Sequence, residues 1–465
     1  MSKSLQSLFD SATALKKQRK FEEAIHIYGQ AVSEHPQSAA AEHNLASALG
    51  DAGRGSEAEK HVRRAFSKGS NAPQSWLVFA RALMVQGKFD EAADAYTRTL
   101  QLNPAVLDAH RELAQLTWMT TGDKEAALSA LDSALMSFPD VVALHAIKGQ
   151  VLTHVAEPAA TLRFLQASRE RWPDDARLLS LAVSAATHSG EPQVALDMSE
   201  QLLALQPGSR SARELRVTAL LAAGRADEAL PMTEVLVEEK PTDQHSLALL
   251  ATSCRLVGDD RYAKLYDYDQ FVRPYQLSAP QGWSSLSDYL TDLASALRRR
   301  HQFKAHPFSN SLHGGSMIAG LPGMQDPAVV AFHDAIAPAV EAHLAHLGEG
   351  NDPLRSRNSG RWRLDGLWSI MLQPNGYHHD HVHPNGWLSS ACYIELPDQI
   401  DEEKCEGWIK FGEPGLVTSQ ELSYEHAVKP NSGSVVLFPS YMWHGTVPFG
   451  GDQPRLTVAF DVIPD

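Results

Sequence analysis

Near its C-terminus the chain runs Tyr377-His378-His379-Asp380-His381-Val382-His383-Pro384, and a lone His444 follows 61 positions after His383, with Arg455 11 residues further on. Imidazoles and a carboxylate packed this densely point to metal ligation. In an extended segment side chains alternate faces, so His379, His381 and His383 share one side while His378, Asp380 and Val382 share the other. Two ligands two residues apart, joined by a third from a distant strand, occupy one face of an ion. That leaves three positions open, the geometry of mononuclear iron sites that activate dioxygen. Two registers are available for the pair: His378-x-Asp380, which supplies a carboxylate, and His381-x-His383, which does not. On the stretch from Arg455, Arg455 and Thr457 point one way and Leu456, Val458 and Phe460 the other. A guanidinium beside such a metal suits an acidic cosubstrate.

Ligands from distant segments need a rigid frame. After Arg361 apolar residues recur with a period of two, in short runs at 367–372, 387–396, 407–411, 433–438 and 455–463 separated by Pro, Gly, Asn and Asp. This predicts strands, and their number and spacing predict an antiparallel barrel or jelly roll. Amphipathic helices are expected at 286–299 and at 327–347, the second through Val329, Val330, Phe332, Ile336, Val340 and Leu344, and both should buttress the sheet. Ahead of them Tyr266-Asp267-Tyr268-Asp269-Gln270-Phe271-Val272-Arg273-Pro274-Tyr275 is too aromatic for a flexible linker and reads as a packed junction over 266–300.

The first 265 residues are of another kind. Alanines stand at Ala24, Ala58, Ala92, Ala126, Ala160, Ala195, Ala229 and Ala263, separated by 34 residues throughout except for one step of 35 between Ala160 and Ala195. Pro36, Pro104, Pro139, Pro173, Pro207 and Pro241 keep the same beat and close each unit, since proline cannot continue a helix. Glycines at Gly53, Gly87, Gly122 and Gly224 are placed to end the first helix of a unit in a left-handed turn. One such unit cannot bury its own apolar face, so about seven to eight of them must stack, leaving a groove suited to a partner.

Composition narrows the classes. At 465 residues the chain holds two or three domains. A formal charge of −15, from 56 acidic against 41 basic residues, argues against a general nucleic-acid binder. Cys254, Cys392 and Cys405 are widely spaced, which suggests neither a disulfide framework nor a thiolate zinc site, and no run of 18 apolar residues marks a membrane span. The expectation is a cytoplasmic protein in a reducing compartment, with no membrane partner.

The 34-residue period closely resembles tetratricopeptide repeats, over roughly residues 3–265. From His381-Val382-His383-Pro384-Asn385-Gly386-Trp387 through Leu396-Pro397, and again in Gly433-Ser434-Val435-Val436-Leu437-Phe438-Pro439 through His444-Gly445-Thr446, the chain resembles the 2-oxoglutarate/Fe(II)-dependent oxygenases that are often fused to such repeats. The resemblance covers roughly residues 300–465. It implies an α+β protein: a tetratricopeptide solenoid over 1–265, the junction over 266–300, and over 301–465 a double-stranded β-helix (jelly roll) with buttressing helices. It further implies Fe(II) held by His381, His383 and His444, 2-oxoglutarate anchored through its distal carboxylate by the planar fork of Arg455 with Thr457 adding a hydroxyl, and O2 as oxidant. Because the motif is HxHP rather than the commoner HxD, two arrangements stand open. His383 coordinates directly, giving a three-histidine site, or it stands behind the ligands while water or Asp380 completes the sphere.

Other residues have plainer readings. Trp368, Trp387 and Trp443 are expected in the core, Tyr377 and Asn385 at the border of the pocket, His313 and His426 at the surface or in structural roles, and Arg363 as a salt-bridged wall residue. The resulting expectation is a dioxygenase that hydroxylates a peptide or protein recruited by the repeat groove. The alternatives are an oxygenase acting on a small metabolite or natural-product intermediate, and a noncatalytic adaptor with a degenerate barrel.

Overall fold

The structure, a computed structural model, describes residues 4–308, 310–321 and 325–465. It divides into two compact units, Met1–Val151 and Leu152–Asp465.

In the first unit, paired helices follow one another from Leu5–Lys17 and Phe21–Glu34 to Leu107–Thr121 and Lys124–Ser137. Ala24, Ala58 and Ala92 are wholly buried where the two helices of a repeat approach each other, as the beat of small residues requires. The beat then slips. Ala126 is exposed and Ala160 only half-buried, and the neighbouring Ala127 and Thr161 take the buried places. The 35-residue step therefore lies between Ala92 and Ala127, not between Ala160 and Ala195. The cause is local: helix Leu107–Thr121 has 15 residues where Pro73–Val85 has 13, which delays the left-handed turn at Gly122.

In the second unit the helical pairs continue through Ala176–His188, Pro192–Leu205, Arg210–Ala222 and Ala226–Glu239 to Gln244–Val257. This last long helix is firmly started. Asp243 Oδ2 accepts hydrogen bonds from the Ser246 amide (3.0 Å) and hydroxyl (2.7 Å), and pairs with Arg210 and Lys240. Burial pushes this carboxyl up, but the hydrogen bonds from Ser246 and Lys240 outweigh it and hold it at about 2, below its ordinary 3.8. A depressed carboxyl stabilises the fold above its unfolded value and loses that contribution as pH falls through the folded one. The stability difference between wild type and Asp243→Asn, followed by circular dichroism melts, should thus be constant above pH about 4 and shrink toward pH about 2; a difference independent of pH would refute the role of the charge.

Beyond Gln244–Val257 the chain forms nine strands among the described residues: β1 (Arg273–Gln276), β2 (Leu312–Ala319), β3 (Trp362–His378), β4 (Leu388–Glu395), β5 (Ile409–Phe411), β6 (His426–Val428), β7 (Ser434–Pro439), β8 (His444–Thr446) and β9 (Arg455–Pro464). All pairings are antiparallel. One sheet runs β1-β7-β4-β9-β3-β2 and a smaller one β6-β5-β8. The junction segment supplies the edge strand β1, with Arg273 opposite Leu437.

Alternation along β9 sends Leu456, Val458 and Phe460 into a core shared with helices Leu286–Arg298 and Phe332–Leu347, where Phe332 meets Phe460 edge-on at 6.0 Å. The second predicted helix is in fact two, Pro327–Val330 and Phe332–Leu347, parted at Ala331. Arg363 pairs with Asp465 at 3.4 Å at the sheet's exposed end.

Candidate metal centre

The sequence places His381 and His444 far apart, and backbone pairing brings them together. His381 and His444 exchange both amide-to-carbonyl hydrogen bonds (3.0 and 3.1 Å), which sets their rings 4.2 Å apart. His383 is fixed by its amide, which donates to Ser440 O at 3.0 Å, and its Nε2 lies 3.2 Å from Nε2 of His381. Ligand atoms of His381, His383 and His444 all lie within 4.8 Å of one another. Gly445 allows the close approach: a Cβ there would sit 2.8 Å from Asp380 Oδ1 and 2.9 Å from His378 O.

The second nitrogen of each ring decides its chemistry. Nδ1 of His381 faces His379 O at 2.9 Å and Nδ1 of His444 faces Met442 O at 2.9 Å. A carbonyl oxygen only accepts, so both Nδ1 atoms carry the proton and both Nε2 atoms present a lone pair. His383 Nδ1 lies 2.6 Å from Asp461 Oδ1, which also accepts from Ser389 Oγ at 2.7 Å. Burial pushes the His444 imidazole down to about 3, with His383 pushing the same way, and burial likewise holds His381 well below its ordinary value. Lone pairs gathered this closely repel one another, and a cation between them would relieve that repulsion. Each ring is also aimed by an oxygen behind it, as metal-binding histidines are. The residues present fit a divalent metal.

The outer partner was not singled out from sequence. Asp461 is buried, at 6% exposure, at the far end of β9, and the only signal for it was its place on the same alternating face as Arg455 and Thr457. Asp461→Asn should weaken metal binding by about 10- to 100-fold, measured by anaerobic Co(II) titration; unchanged affinity would remove Asp461 from the site.

The histidines open into a cavity of about 390 Å³ whose walls include Arg455, Thr457, Thr446 and Tyr393. Arg455 is 4% exposed. Its Nη1 donates to Gly407 O (2.7 Å) and its Nη2 to Thr446 Oγ1 (3.3 Å), while its Nε has no hydrogen-bond partner. Among the described residues no carboxylate pairs with it. Tyr393 and Phe449 flank the guanidinium at 5.7 and 6.0 Å. Burial pulls its pKa down, against the opposing effect of Tyr393. A buried cation without an anion is costly unless a ligand supplies one.

Not every candidate gathers here. The alternation expected over 378–383 fails, because the chain leaves β3 at His378 and turns at Asp380. As a result His378, His381, Val382 and His383 all line the cavity and His379 does not. Asp380 is turned away: its Oδ2 pairs with Lys410 at 2.8 Å, and burial pushes its carboxyl up to about 6 against the pull of Lys410. The HxD register therefore does not assemble. His378 Nδ1 lies 2.8 Å from Ser311 Oγ, which is also 3.2 Å from His381 Nε2; Ser311 carried no signal in the sequence.

Trp387 and Trp443 are core residues, but Trp368 lines the cavity, as does Asn385. Tyr377 stacks on His313 at 5.1 Å away from the cavity walls, and His426 stacks on Tyr268 at 5.2 Å.

Comparison with known proteins finds two kinds of family along the chain. Tetratricopeptide repeat families match residues 15–81, 77–141 and 183–243. Solved structures similar to the chain include the C-terminal part of a TPR repeat-containing protein from Cytophaga hutchinsonii (16% identity, 52% of this chain and 99% of that one, TM-score 0.38) and a tetratricopeptide repeat protein from Parabacteroides merdae (16%, 54% and 98%, TM-score 0.38). Another is the first TPR of Spaghetti bound to an HSP90 peptide (25%, 24% and 89%, TM-score 0.23). No curated protein matches the chain. The family described as Putative 2OG-Fe(II) oxygenase matches residues 366–461, which hold the three histidines, Arg455 and Asp461. The chain thus carries tetratricopeptide repeats in its N-terminal region and, at residues 366–461, a domain of the Putative 2OG-Fe(II) oxygenase family.

Proposed function

We propose that the chain is a 2-oxoglutarate- and Fe(II)-dependent dioxygenase that hydroxylates a peptide or protein substrate in the cytoplasm, with the two antiparallel sheets as the walls of a double-stranded β-helix. The observation that carries this reading is the pairing, in one cavity, of three convergent imidazole nitrogens with a buried arginine that has no carboxylate partner among the described residues. His381, His383 and His444 would hold the metal, His383 taking the place commonly filled by a carboxylate ligand, with Asp461 behind it. Arg455 would hold the distal carboxylate of 2-oxoglutarate, with Thr457 beside it. When bound, Fe(II) with 2-oxoglutarate and O2 supplies the oxidation of an unreactive C–H bond, the keto acid leaving as succinate and carbon dioxide.

The protein's own residues orient and exclude. Aromatic and aliphatic walls, among them Tyr393, Ile409 and Ile370, keep water from the guanidinium, which raises its attraction for a carboxylate. Asn310, Asn385, Asp365 and Trp368 line the same cavity and offer polar and aromatic contacts to a substrate segment. Because the repeats and the cavity belong to one chain, a partner recruited by the repeats would gain effective concentration at the cavity.

The test is turnover. Full-length protein loaded with Fe(II) under anaerobic conditions should, on admission of air, consume O2 and form succinate only with 2-oxoglutarate present, and peptide fractions should stimulate this more than small-molecule fractions. No succinate from wild type would overturn the enzymatic reading, and stimulation confined to small molecules would overturn the substrate class.

A further inference from the structure

The repeats and the β domain meet within Leu152–Asp465, and they meet at the residue before a candidate ligand. Every polar group of Trp443 is held. Its indole Nε1–H donates to Thr252 Oγ1 (2.9 Å) on helix Gln244–Val257, and its amide donates to Tyr266 Oη (2.9 Å) just beyond the last short repeat helix. Its carbonyl accepts from the Gly412 amide (3.0 Å), and Gly412 O in turn accepts from Arg255 Nη1 (2.8 Å) on the same repeat helix. Tyr266, Thr252 and Trp443 are all buried.

The Trp443 amide and the Met442 carbonyl belong to one peptide unit. Tyr266 Oη accepts at the N–H end of that unit, and His444 Nδ1–H donates to its oxygen (2.9 Å). The hydroxyl, the peptide and the imidazole thus form a hydrogen-bonded chain in a buried environment, where each link polarises the next. Tyr266 also donates to Tyr441 O (3.1 Å), which ties the same hydroxyl to the preceding peptide as well. The Thr252 hydroxyl donates to Ala248 O (2.9 Å), which leaves its oxygen free to accept from the indole.

We infer that Tyr266 and Thr252 are positioning residues of the metal centre, acting on His444 through the single peptide unit between Met442 and Trp443. The last repeat and its extension are then part of the site's support rather than a tether. This rests on the metal reading above. Tyr266 sets the direction of the His444 imidazole, and Thr252 fixes the side chain that anchors the peptide.

The experiment is an anaerobic Co(II) titration of the full chain followed by ligand-field absorption, with Tyr266→Phe, Thr252→Val and Thr252→Ser beside wild type. Expected are an affinity loss of about tenfold or more in Tyr266→Phe and Thr252→Val, an altered band shape at saturation in both, and wild-type behaviour in Thr252→Ser, which keeps the oxygen. A merely structural contact would lower the melting temperature and leave the saturated spectrum alone. Folded Tyr266→Phe with wild-type affinity and spectrum overturns the inference; should that variant not fold, identical spectra in Thr252→Val and Thr252→Ser overturn it. Wild-type protein that binds no Co(II), or binds it equally well as His444→Ala, overturns the metal reading itself and this inference with it.

Discussion

Arg455→Met is expected to raise the melting temperature of the protein in the absence of 2-oxoglutarate and at the same time to cripple its use. Arg455 is buried among Tyr393 and Phe449 with two neutral hydrogen-bond partners and, among the described residues, no carboxylate. An uncompensated buried charge costs stability, and an apolar side chain of similar length removes that cost. The same desolvation makes the guanidinium a strong anchor once a dicarboxylate enters. Removing one partner of a buried charge pair costs about 2–5 kcal/mol, which is roughly 30- to several-thousand-fold in affinity. The KM for 2-oxoglutarate, read from succinate formation, should rise by such a factor, and 2-oxoglutarate should no longer shift the melt. A variant that melts lower and keeps its KM would show Arg455 to be a wall residue.

Arg455 and Thr457 stand on one face because β9 is a regular strand, and in a regular strand alternation in the sequence is alternation in space. The same rule misled over 378–383, where the chain turns at Asp380 and brings His378, His381 and His383 to one cavity. Short strands gave no pattern to read: β1 is Arg-Pro-Tyr-Gln and β8 is His-Gly-Thr, and each exists because a partner strand pairs with it. The repeat period was legible because every unit repeats the same packing problem, yet it could not show which alanine of Ala126-Ala127 would be buried. Asp461 was invisible as a functional group because its task, to orient His383, is defined only by a contact across 78 residues of chain.

The contacts of the last repeat change how recruitment should be tested. Thr252 and Arg255, on helix Gln244–Val257, are occupied by Trp443, Gly412 and Ser423, and Leu221 O accepts from the Ser419 amide. Cutting the chain at residue 265 would strip these supports from the β domain, so lost turnover in such a fragment would say nothing about substrate capture. Substitutions at exposed positions of earlier repeats leave the supports intact.

His444→Ala should abolish metal binding, and Asp380→Asn should spare it. Three nitrogens already aimed by His379 O, Met442 O and Asp461 form the binding face, and among the described residues it is these three histidines whose ligand atoms all lie within 4.8 Å of one another. Loss of the metal removes charge stabilisation worth several kcal/mol, so turnover should fall on the order of a thousandfold or more. Asp380 instead neutralises Lys410 inside the protein, and Glu413 shares that lysine at 2.6 Å. Breaking a buried pair costs about 3–5 kcal/mol when the remaining charge is stranded, and Glu413 reduces that cost, so Asp380→Asn should lower the melting temperature yet retain stoichiometric Co(II). If Asp380→Asn loses the metal while His383→Ala keeps it, the His378-x-Asp380 register is the working one and the three-histidine face is not.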